Sequence, residues 1–265
     1  SKSYSKFFKI IVIKYLVKFP ILKRLIPSIG IRIFKFFKIN RGFYKINEVY
    51  FYLDFLDPVD RQIIINKKYE DDAVKFLETE FNKNNFSIFL DIGSNSGYFS
   101  FYFANKFKNL KIIAFEPNLD AFEKFNKTLG KNNFQNMKIF NQGLSDTNKK
   151  IKMITWYKHG YAKTNSIIFE DHHDKKDSKV FSATLKVGDE MINYQNEKIS
   201  IKIDVEGHEI NVLKGLINNL SQNKCLILIE IADDKFKFVN DFLVGNNYKM
   251  IFKSDFRLDY IYSNL

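Results

Sequence analysis

The stretch Ile88-Phe-Leu-Asp-Ile-Gly-Ser-Asn-Ser-Gly-Tyr-Phe-Ser100 decides the fold of this chain. Its first residues are a short apolar run ended by Asp91, which is the pattern of a strand buried on both faces. Gly93 and Gly97 then stand in a polar turn, and the aromatic-rich stretch 98–107 has the length and spacing of a helix. A strand, a glycine turn and a helix in this order let the backbone approach a ligand closely and supply amide donors. The stretch therefore predicts a nucleotide-like ligand.

Two further strand endings carry acidic residues. The run Leu110-Lys-Ile-Ile-Ala-Phe-Glu116 predicts a second buried strand, and Ile199-Ser-Ile-Lys-Ile-Asp204 predicts a later one. Glu116 lies 19 to 23 residues beyond the turn glycines, the spacing at which an acid binds ribose hydroxyls in dinucleotide folds. Because strands alternate with helices, we expect an α/β fold: a mostly parallel, doubly wound sheet with a C-terminal antiparallel hairpin. Asp91, Glu116 and Asp204 would then meet at the carboxyl edge, where such sheets bind ligands.

Composition limits the class of protein. The chain has 265 residues, of which 45% are hydrophobic, enough for the core of one large domain with an appendage. A single cysteine, Cys225, excludes an internal disulfide framework and fits a reducing compartment. The net charge is +12, but 12 basic residues precede the first acidic residue, Glu48, and the remaining 30 basic residues equal the 30 acidic ones. A formally neutral main body argues against a groove that binds nucleic-acid phosphates.

Residues 1–47 are a basic, aromatic arm, which we predict to be helical and distinct from a domain over residues 48–265. Lys14 and Lys18 interrupt its apolar run well short of the ~20 residues that a transmembrane helix needs. One interpretation places residues 1–40 on an anionic membrane surface. The other packs the arm on the domain or on a second copy, as in a homo-oligomer. We expect a cytoplasmic protein, peripheral on the inner face of the membrane under the first interpretation.

Four stretches carry a resemblance to a known family. They are Leu90-Asp-Ile-Gly-Ser-Asn-Ser-Gly-Tyr-Phe-Ser100, Ala114-Phe-Glu-Pro-Asn118, Gly143-Leu-Ser-Asp146 and Ile201-Lys-Ile-Asp-Val-Glu-Gly-His-Glu209. Together they resemble the S-adenosylmethionine-dependent class I methyltransferases and, within these, the FkbM family, over about residues 50–235. The resemblance implies a Rossmann-like class I methyltransferase fold and S-adenosylmethionine as cofactor, with S-adenosylhomocysteine as product. It also implies an acceptor hydroxyl on a sugar, a glycan or a related small molecule.

The resemblance further implies which residues bind the cofactor. Around its methionine and ribose moieties we expect Asp91, Gly93, Asn95 and Gly97. Asn95 stands where many methyltransferases have a glycine, and Glu116 would bind the ribose hydroxyls. Beside the adenine we expect Pro117, Asn118, Ser145 and Asp146, and the remaining predicted cofactor-binding residues are Tyr69, Glu70, Tyr98, Phe99 and Asp204.

The predicted catalytic residues are Asp204, Glu206 and His208. A sulfonium methyl group is already activated, so the enzyme must align an acceptor oxygen and accept its proton, preferably with a base whose pKa lies near neutral. We expect His208 or Asp204 to take the proton and Glu206 to orient the acceptor, and we predict no metal. Two alternatives stay open. Glu206 and Glu209 could merely complement the next helix N-terminus, or the three predicted residues could hold a divalent ion.

Three other classes of protein stay as alternatives. A nucleic-acid methyltransferase would share the cofactor site, but should carry an Asn/Asp-Pro-Pro-Tyr type motif, which Asp204-Val-Glu-Gly does not match. An NAD-dependent enzyme is disfavoured by the missing third glycine and by Asp91 within the turn. The third alternative is a non-catalytic nucleotide-binding module.

Overall fold

A computed structural model describes residues 40–158, 161–168, 178–255 and 257–265. The strands are β1 (Arg41–Ile46), β2 (Val49–Asp54), β3 (Ile88–Ile92), β4 (Lys111–Phe115), β5 (Met137–Phe140), β6 (Gly143–Ser145), β7 (Lys149–Lys158), β8 (Tyr161–Ile168), β9 (Ser178–Val187), β10 (Lys198–Ile203), β11 (Lys224–Glu230), β12 (Lys249–Lys253) and β13 (Asp259–Ser263). The helices are α1 (Pro58–Asn66), α2 (Asp71–Asn84), α3 (Tyr98–Lys106), α4 (Leu119–Lys131), α5 (Gly188–Met191), α6 (Glu209–Gly215), α7 (Ile217–Gln222) and α8 (Phe236–Gly245).

The central sheet has seven strands in the order β12-β13-β11-β10-β3-β4-β5. The five strands from β11 to β5 in this order run parallel, while β13 is antiparallel to both of its neighbours. Every residue of β3 is buried, as expected for a strand covered on both faces. The predicted mostly parallel sheet and its C-terminal antiparallel hairpin are confirmed.

Helices cover both faces of this sheet, and each face has its own hydrophobic core. Successive side chains of a strand point to opposite faces, so Phe89 joins one core while Leu90 and Ile92 join the other. The first core is strongly aromatic, and in it the ring of Phe81 lies 4.7 Å from that of Phe103. A fully buried side chain of this kind contributes roughly 1.5–3 kcal/mol to folding. These two cores hold the carboxyl edge of the sheet in place.

The structure describes only the last residues of the predicted arm, because residues 1–39 lie outside the described part of the chain. Its last residues form β1, which pairs antiparallel with β2, so the predicted boundary at residue 47 falls inside a hairpin. Arg41 pairs with Asp54 of the same hairpin at 2.8 Å and with Asp120 at 2.7 Å, and the second ion pair attaches the hairpin to α4. Within the described part of the chain, no helix is long and apolar enough to cross a bilayer.

A second sheet of four strands, in the order β6-β9-β7-β8, was not predicted. Between residues 149 and 187 the structure has three strands of eight to ten residues. Strands β7 and β9 mix apolar residues with lysine, serine and threonine, and the residues that pair between them lie 22 to 36 positions apart in the chain, so local periodicity does not reveal the pairing. This sheet supplies Met153 and Leu185 to the candidate site.

Candidate active site

The turn between β3 and α3 depends on three residues with left-handed backbone conformations. The φ angles are +78° at Gly93, +50° at Asn95 and +84° at Gly97. A Cβ atom on Gly93 would lie 1.8 Å from the carbonyl oxygen of Asp204, so the missing side chain lets the ends of β3 and β10 meet. Asparagine tolerates a positive φ better than most residues, which accounts for Asn95 at a position where a glycine is common.

Glu116 joins this turn to the end of β4. Its Oε2 accepts a hydrogen bond from the backbone amide of Asn95, and its Oε1 accepts one from the amide of Asn118, both at 2.8 Å. The side chain is buried, and burial raises the pKa of Glu116 to about 7 against the opposing effect of these two donors. A carboxylate can accept about four hydrogen bonds, so it keeps capacity for donors from a ligand.

Glu116 faces a cleft of about 680 Å³ that is open to solvent at the carboxyl edge of the central sheet. The residues lining the cleft are Ile92, Gly93, Asn95, Glu116, Pro117, Gly143, Leu144, Met153, Leu185, Asp204, Val205, Glu206 and His208. One wall, formed by Pro117, Leu144, Met153 and Leu185, is apolar. An apolar wall beside a buried acceptor suits a nucleoside, with the base on the wall and the ribose hydroxyls on the carboxylate.

Glu206 lies at the other end of the cleft, in the loop between β10 and α6. Its φ of +52° is unusual for a residue with a side chain, and strained positions of this kind occur often at functional sites. Partial burial of the carboxyl group, together with the carboxylates of Asp204 and Glu230, raises the pKa of Glu206 to about 7. Glu206 is therefore partly ionised near neutral pH and can accept a proton there.

His208 is held by a different partner. Its Nε2 lies 2.9 Å from the hydroxyl oxygen of Ser145, and only 7% of the residue is exposed. Burial and the nearby charge of Lys149 lower the pKa of His208 to about 4, so the imidazole is neutral at physiological pH. One ring nitrogen is thus engaged with Ser145, and the ring is a weak base.

Lys202 is a buried cation beneath the cleft. Its Nζ lies 3.1 Å from Oδ2 of Asp204 and 4.0 Å from Oδ1 of Asp91, and it stands over the ring of Phe99. Asp91 is 1% exposed and also accepts a hydrogen bond from the Ser100 hydroxyl at 2.6 Å. Burial raises the pKa of Asp91, and Lys202 opposes that shift. Asp91 therefore lies below the turn and does not line the cleft.

A cluster of carboxylates lies beside Asp204. Ligand atoms of Glu70, Asp204 and Glu230 come within 4.8 Å of one another, a spacing that could hold a metal ion. Of the three residues considered from the sequence as possible ligands of a divalent ion, only Asp204 belongs to this cluster. Cations of the protein already contact all three groups: Lys202 contacts Asp204, and Arg257 lies 2.6 Å from Glu70 and 3.5 Å from Glu230. The cluster is therefore an ion-paired network.

The structure brings seven of the predicted site residues to the cleft: Gly93, Asn95, Glu116, Pro117, Asp204, Glu206 and His208. Those that do not line it are Tyr69, Glu70, Asp91, Gly97, Tyr98, Phe99, Asn118, Ser145 and Asp146. The ring of Tyr98 packs on Phe51 at 5.8 Å, on the side of the β1–β2 hairpin. The side chain of Asn118 accepts hydrogen bonds from the first amides of α4, so it caps that helix.

Lys202, beneath the cleft, was not predicted from the sequence, and the lining residues that were not predicted are Ile92, Gly143, Leu144, Met153, Leu185 and Val205. Lys202 could have been found, because a lysine inside the apolar run of β10 must have a buried counter-charge. Met153 and Leu185 gave no such signal, since only the docking of the second sheet brings them to Glu116.

Comparisons with known proteins find similarity to methyltransferases. A family model described as the methyltransferase FkbM domain matches residues 91–250. Over 200 residues the chain is 26% identical to Methyltransferase 1 of Beauveria bassiana, covering 68% of this chain and 75% of that protein. Over 166 residues it is 28% identical to the hexuronic acid methyltransferase AglP of Haloferax volcanii, covering 61% of this chain and 62% of that protein.

Among solved structures, the chain resembles a precorrin-6y C5,15-methyltransferase of Geobacter metallireducens. The TM-score is 0.44 at 12% identity, covering 74% of this chain and 88% of that one.

Proposed function

The chain belongs to the FkbM methyltransferase family, and from this premise we propose that it methylates a hydroxyl group of a sugar, a glycan or a related small molecule. The predicted family, class I methyltransferase fold and cofactor, S-adenosylmethionine, are confirmed. The acceptor and the roles of individual residues are our proposals.

The residues of the cleft fit the cofactor. Glu116 would accept hydrogen bonds from the ribose hydroxyls, and the apolar wall with Pro117 and Met153 would hold the adenine. The acidic surroundings of Asp204 suit the positive charge of the sulfonium and amino groups. When bound, S-adenosylmethionine supplies a methyl group that is already activated for transfer, so no further activation of the donor is required of the protein.

The proposal rests on one observation: Glu116, a hydrogen-bond acceptor suited to ribose hydroxyls, lines the same cleft as the acidic pair Asp204 and Glu206. An acceptor hydroxyl beside Asp204 and Glu206 would therefore lie next to the methyl-donating end of an S-adenosylmethionine molecule whose ribose binds Glu116. Holding the two reactants in this order is a large part of what catalysis of methyl transfer requires.

Two observations support Glu206 as the general base in preference to His208. The pKa of Glu206 is raised to about 7, which is near the value that suits a base at physiological pH. The pKa of His208 is lowered to about 4, and its Nε2 is engaged with Ser145. Glu206 accepts the proton that the hydroxyl oxygen loses as that oxygen is methylated, and Asp204 orients the hydroxyl.

A sugar acceptor is supported by one relative that is named for a hexuronic acid. The formally neutral main body of this chain also disfavours a nucleic-acid acceptor, because such proteins need basic surfaces for phosphate.

The experiment is a methyl-transfer assay with the purified full chain, ¹³C-methyl-labelled S-adenosylmethionine and a panel of methyl glycosides, catechol and a short RNA. We expect a new methyl-ether carbon signal on a glycoside. Isothermal titration with S-adenosylhomocysteine, NAD and RNA accompanies it, and only S-adenosylhomocysteine should bind. Methylation confined to RNA or catechol, or tighter binding of NAD, would overturn the proposal.

A further inference from the structure

A second cavity adjoins the cofactor cleft. It has a volume of about 790 Å³, is open to solvent, and lies between the start of α6 and the helix α8. Glu206 and His208 line both the cleft and this cavity. A molecule seated in the second cavity would therefore have one end beside Glu206, where the proton must be accepted. The second cavity is therefore placed where the molecule that accepts the methyl group would bind.

The floor of the second cavity carries a buried carboxylate with one oxygen unused. Glu209 is 3% exposed, and its Oε1 accepts a hydrogen bond from the amide of Gly207 at 2.7 Å. Its Oε2 is buried and has no hydrogen-bond partner among the described residues. A buried acceptor without a donor costs free energy unless a ligand supplies one. Asn211 also lines the cavity, and its side-chain amide donates a hydrogen bond to Oδ2 of Asp146 at 3.0 Å.

The rim of the second cavity carries an aromatic ring. Phe238, on α8, is 72% exposed, more than any other large apolar side chain in the described part of the chain. A phenylalanine exposed at the mouth of a cavity offers an apolar ring face to a molecule seated there. The faces of a sugar ring are apolar C–H surfaces that pack on aromatic rings, while its hydroxyls are hydrogen-bond donors.

We propose that the second cavity binds the acceptor as an uncharged sugar ring, which stacks on Phe238 and donates hydroxyl hydrogen bonds to Glu209. The inference rests on the proposed function and adds to it the place and class of the acceptor. The ring is uncharged because the cavity presents the carboxylates of Glu206 and Glu209, which repel a carboxylate. The one cation in the described lining, Lys235, donates a hydrogen bond to the carbonyl oxygen of Gly207 at 2.6 Å, and the two carboxylates outnumber it.

The test measures glycoside binding to the full chain saturated with S-adenosylhomocysteine, by saturation-transfer NMR. The probes are the methyl glycosides of glucose, galactose and mannose, and the methyl glycoside of glucuronic acid. We expect at least one neutral glycoside to bind, with a Kd that rises at least about fivefold in Phe238→Ala and stays within about twofold in Phe238→Tyr. The glucuronide should bind at least about fivefold more weakly than the glucoside. Glu209→Gln should reduce this difference.

Val244→Ala is the matched control, since Val244 is 54% exposed on the same helix and does not line the cavity. Equal glycoside affinities of Phe238→Ala and Val244→Ala would overturn the inference, as would tighter binding of the glucuronide or no binding of any neutral glycoside. S-adenosylhomocysteine titration is run on every variant and should be unchanged. If the unaltered chain did not bind S-adenosylhomocysteine, the proposed function itself would fail, a result distinct from the loss of glycoside binding.

Discussion

The Nζ atom of Lys202 lies 3.1 Å from Oδ2 of Asp204; Lys202 belongs to β10, and Asp204 follows the last residue of that strand. Lys202 is 5% exposed, so this ion pair is held in a medium of low polarity and its geometry is well defined. The same cation lies 4.0 Å from the buried Asp91. One lysine thus fixes the carboxylate of Asp204, which lines the cleft, and offsets the charge of Asp91 beneath the glycine turn.

The first prediction is that Lys202→Met destabilises the fold and slows methyl transfer. Breaking a buried ion pair from one side costs about 3–5 kcal/mol, because a buried carboxylate is left without a counter-charge. Urea unfolding should show this loss, and Lys202→Met/Asp91→Asn should recover part of it. Lys198→Met, at the exposed start of the same strand, should change stability by less than about 0.5 kcal/mol. Equal stability of the Lys202 and Lys198 variants would contradict the assignment.

The second prediction concerns the general base. With the pKa of Glu206 raised to about 7, kcat/KM should rise with pH and level off above that value, because the ionised carboxylate accepts the proton. Glu206→Gln should lower kcat about 10²- to 10⁴-fold and remove this limb of the pH profile. His208→Gln should keep kcat within about tenfold, since a neutral ring bound to Ser145 takes no proton. A larger loss in His208→Gln than in Glu206→Gln would assign the base to the histidine.

The edge that carries the site could be predicted from the sequence, and particular residues show why. Asp91, Glu116 and Asp204 end apolar runs, and the carboxyl ends of parallel strands must share one edge. The chain between β6 and β10 could not be placed. Its pairing joins strands far apart in sequence, and the positions of Met153 and Leu185 depend on it.

The choice of base also needed the structure. From the sequence, His208 or Asp204 was expected to take the proton, His208 because an ordinary imidazole has a pKa near 6.5. Burial lowers the pKa of His208, whereas burial and the neighbouring carboxylates raise the pKa of Glu206. Neither environment can be read from the local order of residues. Charge pairing across strands is a property of the fold.

The third prediction is that cofactor affinity depends on the ionisation of Glu116. Burial raises the pKa of Glu116 to about 7 in the free protein, so the carboxyl group takes up a proton as the pH falls through that value. The protonated form has less acceptor capacity for ribose hydroxyls. The Kd for S-adenosylhomocysteine, measured by titration calorimetry, should therefore rise as the pH falls below about 7.

Glu116→Gln should weaken this binding at least about tenfold at neutral pH, because an amide has one acceptor oxygen for the two backbone amides that Glu116 now holds. The pH dependence should also flatten. Glu123→Gln, exposed on α4, is the control and should bind as the unaltered chain does. An unchanged pH dependence in Glu116→Gln would place the titrating group elsewhere.

The fourth prediction separates two glycines. Gly93→Ala should abolish S-adenosylhomocysteine binding and destabilise the fold, because the new Cβ would lie 1.8 Å from the carbonyl oxygen of Asp204 at a φ of +78°. Gly130→Ala, within α4, meets no atom within 4 Å and should stabilise the protein by about 0.5–1 kcal/mol. Thermal unfolding with and without the ligand measures both. Ligand binding by a folded Gly93→Ala variant would refute the role of close strand approach.

The fifth prediction concerns a buried ion pair away from the cleft. Lys124, on α4, and Asp60, on α1, are 3% and 0% exposed, and Nζ lies 2.7 Å from Oδ2. Burial raises the pKa of Asp60 to about 6, and Lys124 opposes the shift. Lys124→Met should therefore cost about 3–5 kcal/mol near neutral pH, and Lys124→Met/Asp60→Asn should cost less, because no unpaired charge remains buried.

The pH dependence of this variant tests the cause. Without Lys124 the pKa of Asp60 rises further above its unfolded value, so ionisation of the folded protein becomes more costly as the pH rises. The destabilisation by Lys124→Met, from urea unfolding, should thus be larger at about pH 8 than at about pH 5, where Asp60 is mostly protonated. Lys214→Met, at an exposed position of α6, should show no such difference. A loss of stability in Lys124→Met that did not change with pH would mean that lost packing of the lysine stem, and not the unpaired carboxylate, is the cause.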